Sequence, residues 1–316
     1  MLLRFAHWIG GIALHWFYAD IVILDREWIP RDGPLLVAMN HQNALVDALL
    51  AMWVVPRDVR ITAKATIGAN PLGALLVRSL GIVPLRRSAD EGATVDRSRN
   101  EQAFASIENA LRHGEAVLMF PEGRSHSEPG IAPLKTGLAR AALRARASSV
   151  HGIRIVPIGA AFEDKAQPAT DAALVVGELI DVDAWSGDDP HALTTELATR
   201  LAIAAERGAE LLALDPAVST RARHGNVVSR LVAAWGDVTH RIPLRIARRW
   251  ALARSDDPDQ PAMYTMIFGL ALILLFYLLV GAALWAFAGP IAAIVAIVLL
   301  IIGADAAAHA TASPNR

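Results

Sequence analysis

Residues 35–54 read LLVAMNHQNALVDALLAMWV. The five apolar residues Leu35–Met39 predict a strand that is covered on both faces, as in the parallel sheets of α/β proteins. A polar turn follows this strand, and the apolar pattern after the turn predicts a helix over about 43–54. In open α/β sheets ligands bind beyond the carboxyl ends of the strands. The turn between strand and helix is therefore the first place to look for functional side chains.

The same alternation extends on both sides of this segment. Further short apolar runs, rich in Val and Ile, predict strands at Ile21–Leu24, Val59–Ala63, Ile82–Leu85, Ala116–Phe120, Ile153–Ile158 and Ala173–Val176. Helical patterns fall between or after these runs, at about 71–80, 94–112, 136–147 and 190–213. Strands that alternate with helices predict an α/β fold with a largely parallel (mixed) sheet flanked by helices.

The end of the sequence differs in composition from the rest. Hydrophobic residues make up 54% of the 316 residues, above the roughly 45–50% of soluble domains. The stretch from Pro261 to Ala304 contains no charged residue, and about 20 apolar residues are enough to span a bilayer. It predicts a transmembrane hairpin with a turn at Gly289-Pro290. Because Asp305 follows soon after Pro290, a re-entrant or interfacial hairpin is the alternative.

Charge is distributed unevenly along the chain. The formal net charge is −1 and there is no cysteine, so the sequence offers no case for a nucleic-acid partner, a disulfide scaffold or a thiolate metal site. Eight arginines lie within residues 221–254 against one acid, Asp237. A solvated basic helix is one interpretation. Since the stretch precedes the apolar segment, we favour a juxtamembrane helix that meets anionic lipid headgroups on the cytoplasmic side.

The N-terminal residues predict a retained helix and not a cleaved signal peptide. Two histidines interrupt the apolar run, and no small-residue cleavage site follows it. Its apolar residues recur at helical spacing and suit the membrane interface, with core packing as the alternative: Phe5, Trp8, Ile9, Ile12 and Trp16. The predicted organisation is a membrane-associated helix (1–19), a catalytic domain (20–215), a basic juxtamembrane segment (216–260), a transmembrane hairpin (261–305) and a tail (306–316).

Polar residues with chemical potential follow several predicted strands. After Met39 comes His41, with Asp47 further on, and an Asp can orient a histidine that acts as a base. Such a pair alone is a weak signal, since capping and core histidines are common. Arg86 and Arg87 follow a second strand and offer donors that match phosphate oxygens. Glu122 and Gly123 follow a third strand within FPEGRSH, residues 120–126.

These blocks resemble the glycerolipid acyltransferase family, which includes bacterial lysophosphatidate acyltransferases. The resemblance covers roughly residues 20 to 180 and is carried by four blocks in the family's order: Asn40–Asp47, Gly81–Arg87, Phe120–Ser125 and Val156–Pro157. Lys64, Asn70–Gly73 and Lys135-x-Gly137 fit the intervening pattern. Asn40-His41, the FPEGRSH block and Phe162–Lys165 look most like fungal glycerol-3-phosphate acyltransferases and their bacterial relatives. The resemblance implies the glycerol-phosphate acyltransferase fold.

The resemblance also implies roles for individual residues. His41, held by Asp47, would take the proton of an acceptor hydroxyl as its oxygen attacks a thioester carbonyl. Arg87 would bind the acceptor phosphate with help from Arg86, Lys64 and Arg124, while Glu122 and Gly123 would shape the acceptor site. No cofactor or metal is implied beyond the thioester co-substrate. One departure from the family concerns Asp47: five residues separate it from His41, where the family has four.

The resemblance implies an O-acyltransferase that uses acyl-CoA or acyl carrier protein as donor. The acceptor would be glycerol 3-phosphate or its 1-acyl derivative, at the cytoplasmic face of the cell (inner) membrane, with membrane lipids as partners. A transacylase that exchanges chains between phospholipids, or a non-catalytic lipid-binding protein, is the alternative. A serine hydrolase is a weaker rival, because the segment around Ser125 lacks the second glycine of a nucleophile elbow.

Overall fold

The structure, a computed structural model, describes residues 2–64, 82–85, 97–128, 130–214 and 227–311. Its strands are β1 (Asp20–Leu24), β2 (Leu35–Met39), β3 (Val59–Lys64), β4 (Val83–Leu85), β5 (Ala116–Met119), β6 (Arg154–Phe162), β7 (Asp171–Val176) and β8 (Ile180–Asp181). Its helices are α1 (Leu2–Phe17), α2 (Ala44–Val54), α3 (Arg97–Arg112), α4 (Gly137–Ala147), α5 (Pro190–Leu214), α6 (Val227–Arg254), α7 (Pro261–Ala288) and α8 (Pro290–Thr311).

The strands form one mixed sheet in the described part of the chain. Its order is β1-β7-β6-β2-β5-β3-β4, and β8 pairs with β6. At the centre β2 runs parallel to both neighbours, with Leu35 opposite Ala116 of β5 and Arg154 of β6. Strand β3 is parallel to β5 and β4, whereas β8 is antiparallel to β6. The parallel centre brings the carboxyl ends of five strands to one edge of the sheet.

Burial explains why the apolar runs form these strands. Every residue of β2, β5 and β7 is buried, as expected for strands with helices on their faces. Helix α5 packs so closely on β6 that a Cβ at Gly159 would lie 2.2 Å from the backbone nitrogen of Ala205. The predicted fold class is confirmed. The pattern missed the two-residue strand β8, and the predicted helix at 71–80 lies outside the described residues.

By contacts the chain divides into two compact units. The first comprises Met1–Gly11, Ile23–Ala161 and Ala173–Leu211 and contains the central strands. The second comprises Ile12–Val22, Phe162–Ala172 and Leu212–Arg316. Within the second unit, Ala19 donates a backbone hydrogen bond to Thr170 at 2.9 Å. The predicted domain bounds stay predictions.

The last three helices pack against one another within the second unit. Helix α7 ends at Ala288, Gly289 follows with a φ of 87°, and Pro290 begins α8. Glycine adopts such a positive φ without strain, and proline suits the first turn of a helix. The predicted turn at Gly289-Pro290 is therefore confirmed. Two helical segments, Pro261–Ala288 and Pro290–Ala307, are long and apolar enough to cross a membrane, and only 11% and 17% of their most apolar windows are buried.

Candidate active site

Asn40 anchors the turn that leaves the central strand. Its side-chain amide donates to the carbonyl of Ala160 at 2.9 Å and accepts from the amide of Ala160 at 2.7 Å. Strand β2 ends one residue earlier, so the fully buried Asn40 side chain replaces backbone pairing with β6. The backbone is thus held in place immediately before His41.

His41 and Asp47 form a buried pair. The Nδ1 atom of His41 lies 2.9 Å from Oδ2 of Asp47, which also accepts a hydrogen bond from the backbone of Asn43 at 2.7 Å. Asp47 has no exposed side-chain surface, whereas the His41 side chain keeps 11%. An ionised Asp47 accepts the proton of Nδ1, which leaves Nε2 as the basic nitrogen. The pair thus has the geometry of a base and its orienting carboxylate.

The extra residue between His41 and Asp47 is accommodated at the start of α2. Ala44, the first residue of α2, has a φ of 45°, a left-handed conformation that is uncommon for a residue with a side chain. The backbone amide of Ala44 donates a hydrogen bond to the hydroxyl oxygen of Ser125 at 3.1 Å. Ser125 thus satisfies the first N–H group of α2. Asp47 reaches His41 despite the longer turn.

Glu122 lies beneath the same turn. Its Oε2 atom accepts a hydrogen bond from the backbone amide of His41 at 3.1 Å, and its Oε1 atom accepts one from Ala132 at 3.3 Å. The Nε2 atom of His126 lies 2.8 Å from Oε2. Burial raises the pKa of the Glu122 carboxyl, and His126 with the two backbone donors offsets part of that rise. Glu122 therefore supports the backbone of His41 directly.

Two further contacts fix His41 from the segment after β5. The backbone amide of His126 donates to the carbonyl of His41 at 3.0 Å. The ring of Phe120 stacks on the imidazole, with centroids 3.9 Å apart and an interplanar angle of 13°. With Glu122, residues 120–126 hold the amide, the carbonyl and the ring of His41. The imidazole is therefore oriented by two separate strand ends.

Gly123 makes the tight turn that its sequence predicts. Its φ of 75° favours glycine, and the space that a Cβ would occupy is covered by the Lys135 side chain at 2.9 Å. Lys135 also donates a backbone hydrogen bond to Pro121 at 2.8 Å. Arg124 is exposed next to this turn. Two cationic side chains, Arg124 within the segment that holds His41 and Lys135 packed against it, thus lie at this turn.

The predicted phosphate-binding residues are only partly described. Lys64 is the last residue of β3 and pairs in register with Leu85, the last residue of β4. Arg86 and Arg87 follow Leu85 in the sequence and lie outside the described residues. The two adjacent parallel strands nevertheless end together, on the side of the sheet where β2 and β5 also end.

Sequence reasoning assigned no role to three residues of this site. His126 and Phe120 stood in the quoted motif, but their contacts with Glu122 and His41 depend on the path of the chain after β5. Asn40 was part of a matching block, yet its partner Ala160 is 120 residues away. A buried polar residue at a predicted strand end is the one signal that could have drawn attention to Asn40.

The chain is similar in sequence to known acyltransferases. Residues 20–161 match the family model described as Acyltransferase. The chain is 29% identical over 125 residues to glycerol-3-phosphate O-acyltransferase 2 of Saccharomyces cerevisiae, covering 38% of this chain and 17% of that protein. It is 26% identical over 156 residues to 1-acyl-sn-glycerol-3-phosphate acyltransferase of Haemophilus influenzae, covering 47% of this chain and 59% of that one.

A solved structure shares the fold. The 1-acyl-sn-glycerophosphate (LPA) acyltransferase PlsC of Thermotoga maritima superimposes with a TM-score of 0.51 at 21% identity, over 66% of this chain and 79% of that chain. The sequence matches span less than two thirds of the length of the yeast and Haemophilus proteins. Residues 20–161 are thus similar to the acyltransferase family model, and the two named relatives act on glycerol-phosphate lipids by their names.

Proposed function

We propose that this protein is an O-acyltransferase of phospholipid synthesis. It transfers a fatty acyl group from an acyl thioester, acyl-CoA or acyl carrier protein, to a hydroxyl of glycerol 3-phosphate or 1-acylglycerol 3-phosphate. The observation that carries the proposal is the buried His41–Asp47 pair, with Nδ1 and Oδ2 2.9 Å apart at the carboxyl end of the central strand. The similarity to glycerol-phosphate acyltransferases supports the same class of substrate.

The chemistry needs one base and no covalent enzyme intermediate. The acceptor oxygen attacks the thioester carbonyl carbon while Nε2 of His41 takes the hydroxyl proton. The carbon–sulfur bond then breaks, and the leaving thiolate receives the proton that His41 carries. Asp47 stabilises the imidazolium between these steps, as carboxylates do in histidine-based catalysis. The engagement of Ser125 Oγ with Ala44 favours this route over a serine nucleophile.

Cationic residues supply the selectivity for a phosphorylated acceptor. We assign the acceptor phosphate to Arg87, with Arg86, Lys64 and Arg124 as further donors, because guanidinium groups match phosphate oxygens. The register of Lys64 opposite Leu85 supports this assignment, since Arg86 and Arg87 come next in the sequence. Gly123 and Glu122 shape the site through the turn after β5.

We further propose that α7 and α8 insert into the membrane as a hairpin. Large apolar side chains cover their outer surfaces, whereas the core helix of a soluble protein would bury them. A two-span hairpin returns the chain to its starting side, so Ser255 and Arg316 would lie on the same side of the membrane. Reporter fusions after residues 255 and 316 test this, and reporters on opposite sides would refute the hairpin.

The acyl-transfer experiment uses the purified full chain. It is incubated with acyl-CoA or acyl carrier protein and with each acceptor, and the product is identified by mass. We expect an acylated glycerol phosphate that forms only when a thioester donor is present. Product formed from phospholipid donors alone would instead establish a transacylase. No product from any donor–acceptor pair, with lipid still bound, would establish a non-catalytic lipid-binding protein.

A further inference from the structure

Helix α6 binds its two neighbours through a narrow face. The buried residues on this face are mostly small and recur every three or four positions: Ala233, Gly236, His240, Pro243, Ala247 and Ala251. A Cβ at Gly236 would lie 1.9 Å from the carbonyl oxygen of Gly303, so α6 and α8 meet backbone to backbone. Close approach through small residues is typical of helices that associate in membranes.

A second side of α6 carries a line of large apolar residues, of which Trp235 also contacts Gly303 of α8 and Trp250 also contacts the ring of Phe268 in α7. We call this line the apolar stripe; its side chains are 37–69% exposed and comprise Val228, Leu231, Trp235, Val238, Ile242, Ile246 and Trp250. From Val228 to Trp250 the stripe is about 33 Å long at ~1.5 Å per residue. Soluble proteins rarely expose a contiguous apolar patch of this extent unless it binds something.

The small-residue face of α6 places the helix alongside the apolar middle of α7. The Nε2 atom of His240 is 2.9 Å from the hydroxyl of Tyr277, close to the centre of α7, and Gly236 contacts Gly303 of α8. The surfaces of α7 and α8 beyond these contacts are also apolar and exposed. The stripe therefore continues the surface that the hairpin offers to lipid, at the same depth.

We propose that the apolar stripe contacts the acyl chains of the bilayer, so that α6 is a third membrane-embedded helix. This inference rests on the proposed membrane insertion of α7 and α8. It differs from the basic juxtamembrane segment that the sequence predicts, because the arginines occupy only part of the helix surface. Exposed Arg230 and Arg249, near the two ends of the stripe, can extend toward lipid phosphates, whereas the exposed Arg241 and Arg245 lie along the same helix near its middle.

Continuity with α7 and α8 favours lipid over a protein partner. A second copy bound to the stripe would have to accommodate the adjacent arginines of both chains, which repel one another, whereas anionic headgroups attract them. The small-residue face also packs α6 against the hairpin. The stripe therefore meets the same surroundings as α7 and α8. Lipid is thus the occupant that satisfies both the stripe and its charged border.

The chain contains no cysteine, so single cysteines can report on chosen positions without background labelling. We choose Val238→Cys on the stripe, Leu278→Cys on exposed α7, and Ser106→Cys on exposed α3 as the water-facing control. Each full-length variant carries a nitroxide label in vesicles of phosphatidylcholine and phosphatidylglycerol. Spin relaxation by oxygen, which concentrates in lipid, is compared with relaxation by a water-soluble nickel chelate.

The expected result is that labels at residues 238 and 278 respond mainly to oxygen and the label at 106 mainly to nickel. A label at 238 that responds to nickel while 278 responds to oxygen would overturn the inference and leave the hairpin intact. If 238 and 278 both respond to nickel, membrane insertion itself is wrong. Dipolar broadening between chains at 238 would assign the stripe to a second copy and also overturn the proposal.

Discussion

The turn around His41 and the three C-terminal helices distribute polar and apolar side chains in opposite ways. Around His41 the polar groups are inside: Asn40, His41, Asp47, Glu122 and His126 are all buried. In α6, α7 and α8 the large apolar groups are outside, and the buried contacts include small residues and the His240–Tyr277 hydrogen bond.

The difference shows how each region meets its surroundings. Buried polar groups are stable only when hydrogen-bonded, so the site around His41 depends on partners such as Ala160 and Glu122. Exposed apolar helices need no polar partners where lipid replaces water. We therefore expect substitutions in the first region to act through lost hydrogen bonds, and substitutions in the second to act through packing and lipid contact.

The largest effect is expected for the base. His41→Ala should lower kcat by roughly 10²–10⁴, the usual contribution of a general base. His113→Ala, at an exposed histidine of the first unit, is the matched control and should leave kcat unchanged. Steady-state acyl transfer by the purified variants measures both, with circular dichroism to check folding. A folded His41→Ala protein with most of its activity would remove His41 from the mechanism.

Phosphate recognition should respond next. Arg87→Ala should weaken use of the acceptor by about 1.5–3 kcal/mol, the contribution of a hydrogen bond to a charged group. This corresponds to roughly a 10- to 150-fold loss in acceptor kcat/KM. Arg87→Lys should restore only part of the loss, because a point charge replaces a planar fork. A change confined to the KM of the donor would show that Arg87 does not bind the acceptor phosphate.

Asn40 tests whether a buried hydrogen bond holds the catalytic turn. Asn40→Asp keeps the acceptor for the Ala160 amide but loses the donor to its carbonyl, and it sets a carboxylate against that oxygen. We expect the free energy of unfolding to fall by about 1–3 kcal/mol. Asn109→Asp, at an exposed position of α3, provides the comparison. Equal denaturation midpoints for the two variants would contradict the role of Asn40.

Packing in the second region is tested at Gly236. A leucine there would collide with the backbone of Gly303, and overpacking of this kind costs about 1–3 kcal/mol. We expect amide exchange to accelerate in α6 and α8 of Gly236→Leu and to stay unchanged in β2 and α2. Ala253→Leu, on the exposed surface of α6, should change neither. Unaltered exchange in Gly236→Leu would show that the two helices do not depend on this contact.

The smallest effect is a change with pH. Because burial raises the folded-state pKa of Glu122, the folded protein keeps this proton to a higher pH than the unfolded chain does. The contribution of the protonated Glu122 carboxyl to the free energy of unfolding is complete below about pH 4. It is lost as the pH rises through the folded-state pKa of Glu122. Wild type should therefore lose stability relative to Glu122→Gln over this range, by at most about 1.4 kcal/mol per pH unit.

Urea denaturation at several pH values measures this difference, and Glu128→Gln at an exposed position is the control. A constant difference between wild type and Glu122→Gln would show that the Glu122 carboxyl does not titrate differently in the folded state.

Local pattern was enough to predict most of the architecture. The strand Leu35–Met39 was predicted with its observed bounds, because five consecutive apolar residues between turns form a strand buried on both faces. The hairpin turn at Gly289-Pro290 also follows from local rules of helix capping. The two-residue strand β8 was missed, because its pairing with β6 leaves no periodic signal in so short a segment.

The sequence by itself determined the α/β alternation, the apolar C-terminal segment and the likeness of His41, Asp47 and Glu122 to acyltransferase motifs, since each depends on near neighbours in the chain. Only the tertiary structure decided that Asn40 binds Ala160, that His126 supports Glu122, and that α6 carries an exposed apolar stripe. The first joins residues 120 positions apart, and the second depends on the path of the chain after β5. The third depends on which face of α6 the neighbouring helices cover, and packing alone selects that face.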